Sequence, residues 1–130
     1  MPGAVLVEGK GYKPGQGAHG SLSRFEMHNT LVAAGPDFKS NFRSPTPSGN
    51  IDVAPTVLSI LGITPKEAMD GRVLEEALSA STGAAAKVET KVLDAKADAA
   101  GKAWRQYLKV SKVGNATYYD EGNAGTPEGR

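Results

Sequence analysis

The sequence predicts an α/β fold, α+β when the chain is taken alone, with a few strands, two main helices and a C-terminal β-hairpin. Three observations point that way: an apolar run closed by a turn at Met27–Pro36, a helix bounded at both ends over residues 52–62, and Gly114-Asn115 between two strand-like segments. Each element follows from local chemistry, in chain order.

The first twenty residues hold six glycines. After a short strand at Ala4–Glu8 they read as a turn-rich approach. Met27 to Ala34 is mostly apolar and ends at Gly35-Pro36, the pattern of a short buried strand running into a turn. Residues 37–50 contain Pro45 and Pro47 and read as surface loop with Phe38 and Phe42 packed inward.

Asp52 is placed to cap a helix whose apolar residues Val53, Val57, Leu58, Ile60 and Leu61 share a side. Pro55 falls in the first turn, where its missing N–H has no intrahelical acceptor to lose. Gly62 is the expected left-handed terminator and Ile63 the apolar residue after it. Thr64-Pro65-Lys66-Glu67 repeats the helix-start grammar for about one turn. Asp70 then opens a second helix, with Val73, Leu74, Ala77 and Leu78 inward and Glu75-Glu76 facing water.

Nine of the 24 residues from Ala80 to Ala103 are alanine, which favours helix, but alternation at Lys87–Asp94 favours a strand. Trp104 to Val113 alternates as well, with Trp104, Leu108 and Val110 on one face against Arg105, Lys109 and Ser111. The returning strand covers Ala116–Asp120, and the polar segment from Glu121 to Arg130 is expected to fray. The expected divisions are 1–21, an approach loop; 22–79, the main α/β part; 80–123, an Ala-rich linker and β element; and 124–130, a flexible tail.

Composition narrows the function. The 130 residues carry 15 Lys+Arg and 14 Asp+Glu, a net charge of +1, which argues against a strongly basic nucleic-acid binder. No apolar run reaches the roughly 18 to 20 residues of a membrane helix, and Met1-Pro2-Gly3 has no basic leader of the secretory type. Neither nucleic acid nor membrane is an expected partner. Zero cysteines remove disulfides and thiolate chemistry but leave the compartment undetermined.

Candidate sites are few. Gly15-Gln16-Gly17-Ala18-His19-Gly20 has dinucleotide-loop spacing, but no strand directly precedes it and no apolar helical stripe follows. His19 sits among small residues that let a backbone approach a ligand or metal, while His28, at the entry of an apolar run, fits a structural histidine. A metal centre needs three or four ligands. Asp37, Asp52 and Asp70 are available, although Asp52 and Asp70 are expected to cap helices. Ser21 and Ser23 lie near His19 in sequence, without a G-x-S-x-G elbow.

The string Gly17-Ala18-His19-Gly20-Ser21-Leu22-Ser23-Arg24-Phe25-Glu26-Met27-His28-Asn29-Thr30-Leu31, then Ala34-Gly35-Pro36-Asp37-Phe38, resembles the C-terminal motif of type I phosphodiesterase/nucleotide pyrophosphatase-like proteins of the alkaline phosphatase superfamily. So do Gly49-Asn50-Ile51-Asp52-Val53-Ala54-Pro55-Thr56 through Ile63, and Asp70-Gly71-Arg72-Val73-Leu74. The resemblance covers three ordered blocks over residues 17–78. It implies the terminal piece of an alkaline-phosphatase-like α/β sandwich and gives His19 the role of ligand to one ion of a two-zinc centre. Such a centre would hold phosphoryl oxygens and activate a nucleophile.

The nucleophile, the first metal-binding Asp, the Asp-x-x-x-His element and the Asp-His-Gly element of that family match nothing in this chain. The resemblance therefore implies a C-terminal fragment of a metal-dependent phosphoric ester hydrolase, inactive alone. Its partner would be a missing N-terminal catalytic portion or another chain, and it would meet phosphate-ester substrate only in the complete enzyme. The alternatives are a non-catalytic complementing subunit or binding module, and a sulfatase-like parent. In each case Val53, Val57 and Leu61 are expected to expose apolar surface unless a partner covers them.

Overall fold

A computed structural model of the chain describes residues 22–82, 86–99 and 101–125. It is a small α+β structure with helices α1 (Arg24–Met27) and α2 (Val53–Ile60) and three strands, β1 (Val88–Ala99), β2 (Lys102–Val113) and β3 (Ala116–Gly125). The strands form one antiparallel sheet in the order β1-β2-β3. The strand expected at Ala4–Glu8 lies outside the described residues, and no described helix is long and apolar enough to cross a membrane.

The residues fall into two compact units. One holds residues 22–30, 90–99, 101–110 and 119–125. Its α1 is a single turn started by Ser23, whose hydroxyl accepts from the Phe25 N–H at 3.4 Å. Leu22 docks on β3: its carbonyl accepts from the Gly122 N–H at 2.7 Å, and a Cβ on Gly122 would lie 3.1 Å from the Leu22 Cβ. Glycine at 122 lets those chains approach.

The other unit holds residues 31–82, 86–89 and 111–118. Its α2 forms as the sequence dictates. Gly62 is left-handed at φ +67, its N–H donates to the Ser59 carbonyl, and the Ile63 N–H donates to the Leu58 carbonyl at 2.9 Å. Those two bonds satisfy carbonyls that the helix end would otherwise orphan. The β2–β3 turn also matches, with Gly114 at φ +58 in the position where a tight hairpin requires glycine. Val113, Ala116 and Tyr118 form the buried apolar cluster, with Ala86 packed against them.

Several expectations are corrected. Residues 28–34 form no strand and are exposed, Val32 to 82%. A short apolar run needs a pairing partner to become a strand, and β1-β2-β3 contains none for it. Residues 35–37 do turn, and Phe38 bridges to Leu78 in antiparallel fashion, but Phe42 is exposed beneath the Lys39 ammonium, 5.4 Å from its ring centre. No helical turn forms at Thr64–Glu67.

The helix expected after Asp70 is reduced to a 3-10 turn at Glu75–Ala77, and Asp70 caps nothing. The segment before that turn is held instead against residues 47–56, as described below. β1 begins at Val88, so the linker is largely strand, and β3 runs to Gly125 through residues expected to fray. On β2 the buried side near the hairpin carries Ser111 and Val113, the face assigned to polar residues. Ser111 is small enough to sit inside, and the β3 residues opposite decide which face is covered.

Candidate functional site

The described residues converge at one place, the start of α2. Asp52 is completely buried. Its side chain makes no capping bond to its own helix. One oxygen, Oδ2, accepts from the Gly49 N–H at 2.8 Å and from the Tyr118 hydroxyl at 2.9 Å. The other, Oδ1, accepts from the Arg72 N–H at 2.8 Å. A single carboxylate thereby joins the loop before α2, the 70–74 segment and β3. Its capping assignment is corrected to this cross-chain one.

Close approach makes that geometry attainable. A Cβ on Gly71 would collide with the carbonyl of Ile51 and would stand 2.9 Å from the Asp52 nitrogen. Only glycine lets the 70–74 backbone lie flat on residues 51–52. Thr56 adds a second link, its hydroxyl donating to the Asp52 carbonyl at 2.7 Å and accepting from the Leu74 N–H at 3.0 Å.

Arg72 then spreads its guanidinium across the cluster. Nε donates to the Tyr118 hydroxyl at 3.1 Å, and Nη2 to the Pro47 carbonyl at 3.0 Å. Two further bonds form a fork on Glu76, Nη1 to Oε2 at 2.8 Å and Nη2 to Oε1 at 2.7 Å. Glu76 was expected to face water, yet its side chain keeps only 10% of its surface accessible. Ser44 donates to it at 3.3 Å, and its carbonyl accepts from Lys39 Nζ at 2.9 Å.

The electrostatics follow from these partners. The bond to Arg72 holds the Glu76 carboxyl below its ordinary range, and the same bond holds the Arg72 guanidinium firmly charged. Burial first, then the bond to Asp52, pushes the Tyr118 phenol up to about 12. Every buried side-chain nitrogen or oxygen among the described residues has a partner. Such a network of partnered groups positions backbone.

Of the candidate site residues read from the sequence, only Asp52 belongs to this cluster. His19, Ser21 and the whole 15–20 glycine pattern lie outside the described residues. His28 is exposed and closes α1 through its own N–H to the Arg24 carbonyl, so the structural histidine expected inside a strand is corrected to a surface one. Asp37 and Asp70 are exposed, and Ser23 is buried as the α1 cap. Among the described residues no three His, Asp or Glu side chains come together as a metal site.

Thr56, Arg72, Glu76 and Tyr118 were not among the candidate site residues. The Arg72–Glu76 spacing of four was a readable signal, although the pair meets outside any α-helix. Comparison of the chain with models of protein families, with curated proteins and with solved structures finds no match.

Proposed function

We propose that this chain is the C-terminal part of a metal-dependent phosphoric ester hydrolase of the type I phosphodiesterase/nucleotide pyrophosphatase-like kind, in the alkaline phosphatase superfamily. The observation that carries the reading is the set of three ordered sequence blocks over residues 17–78. Their arrangement adds support, because Asp52 of the second block is bonded to the backbone of Arg72 in the third, over a glycine that only close packing requires.

In this reading His19 lends one ligand to a two-zinc site. The nucleophile and the remaining ligands come from an N-terminal catalytic portion or a partner chain, and the isolated chain turns over no ester. Zinc, when bound in the completed site, would hold phosphoryl oxygens and activate the nucleophile.

The decisive test is the coding DNA immediately upstream of Met1. A frame encoding the nucleophile with the Asp-x-x-x-His and Asp-His-Gly elements is expected, and an unrelated gene there would overturn the fragment reading. Calorimetric titration of the chain with Zn²⁺ should show weak binding that is lost in His19→Ala. Tight uptake of two ions, or robust hydrolysis of bis-p-nitrophenyl phosphate, would show a self-sufficient site instead.

A second reading, a complementing subunit or binding module, is favoured by the outer face of α2, where Val53, Val57 and Leu61 are 43%, 45% and 62% exposed.

A further inference from the structure

Among the described residues β1 is an edge strand, twelve residues long, with its described side chains exposed on both faces. An edge of that length offers a row of backbone donors and acceptors to another strand. Only residues 100 and 101 separate it from β2. In so tight a hairpin the flanking residues bond each other, so odd-numbered β1 residues bond β2 while Asp94, Lys96 and Asp98 turn their N–H and C=O groups outward.

We propose that this edge pairs with β1 of a second copy of the chain, antiparallel, about a two-fold axis at Ala95. In that register Asp94 stands opposite the partner copy's Lys96, and Lys96 opposite its Asp94, as outward-bonding pairs. The symmetry thus makes two opposite-charge pairs from one sequence. On the other face Leu93 meets Ala97 and Ala95 meets its own copy. That continues the apolar surface of Leu93 and Trp104, both exposed in the single chain.

Neighbouring registers are worse. An axis at Asp94 or at Lys96 places that charge on its own copy, an axis at Leu93 leaves both charges facing uncharged residues, and an axis at Ala97 leaves five strand residues paired rather than nine. A lysine on an edge ordinarily deters pairing. Here the carboxylate two residues earlier supplies its complement.

Sedimentation velocity on the full chain over a concentration series tests this. The chain should dimerise reversibly. Asp94→Lys and Lys96→Asp should each raise the dimer dissociation constant about tenfold, by setting like charges opposite. The double variant, Asp94→Lys with Lys96→Asp, should recover most of the affinity, and it also leaves an acid at 96 near Arg105, which pairs with Asp94 at 2.6 Å. Lys96→Pro should abolish the dimer while keeping the sheet, because that N–H points away from β2. Far-UV circular dichroism checks that each variant is folded. A strict monomer, a dimer that survives Lys96→Pro, or a folded double variant no better than the singles would overturn the proposal.

Discussion

Replacing Asp52 by Asn tests whether one buried carboxylate fixes the 70–74 segment. The side chain keeps its shape but loses one acceptor. If the amide oxygen takes the Oδ2 position, it retains the Gly49 and Tyr118 bonds, and the amide nitrogen then faces the Arg72 N–H as donor against donor. The reverse placement sacrifices two bonds. A hydrogen bond to a charged group contributes about 1.5–3 kcal/mol, and an orphaned buried donor costs about 1–3 kcal/mol. Asp52→Asn should therefore destabilise by about 3 kcal/mol, a large part of the roughly 5–15 kcal/mol of an ordinary domain. Asp52→Ala, which orphans three donors at once, should leave little cooperative unfolding at all. Tyr118→Phe keeps both backbone bonds and should cost only about 1–2 kcal/mol. Urea titration followed by circular dichroism reads these as shifts in midpoint at constant slope. Asp52→Asn as stable as the parent, or less damaging than Tyr118→Phe, would refute the reasoning.

The remaining expectations use the same assay. Gly71→Ala should destabilise by about 2–4 kcal/mol, because the new methyl meets the Ile51 carbonyl, which is backbone and cannot rotate away. Gly62→Ala should cost only about 1 kcal/mol, since its φ of +67 is strained for alanine but nothing lies within 4 Å of the added carbon. At high pH the unfolded Tyr118 phenol ionises near 10 while the folded one holds its proton to about 12. Stability is thus full below pH 10 and falls as pH rises towards 12, by about 2 kcal/mol, a decline that Tyr118→Phe should flatten. On the acid side the depressed Glu76 contributes stability that is full above its ordinary pKa and lost as pH falls through the folded one. Glu76→Gln should weaken that part of the acid dependence.

Which elements could be foreseen depended on where their stabilising partners lie. α2, its glycine terminator and the β2–β3 turn are written in neighbouring residues: Pro55, Gly62, Ile63 and Gly114 act within a few positions of themselves. The strand preference at 87–94 likewise rests on alternation along one segment. The helix expected after Asp70 failed because the Leu74 N–H, which would close its first turn on the Asp70 carbonyl, donates to the Thr56 hydroxyl instead. The apolar run at 27–34 failed because no neighbouring strand takes it up.

The sequence by itself determined the bounded helix and the β2–β3 hairpin turn, both consequences of backbone preference and local spacing. Tertiary structure alone decided that Asp52, Arg72, Glu76 and Tyr118 form one buried network, because the bond between Tyr118 and Asp52 joins residues 66 positions apart. No local pattern encodes a contact at that separation. It exists only once the glycine at 71 has let two backbones touch and the carboxylate has found its three donors.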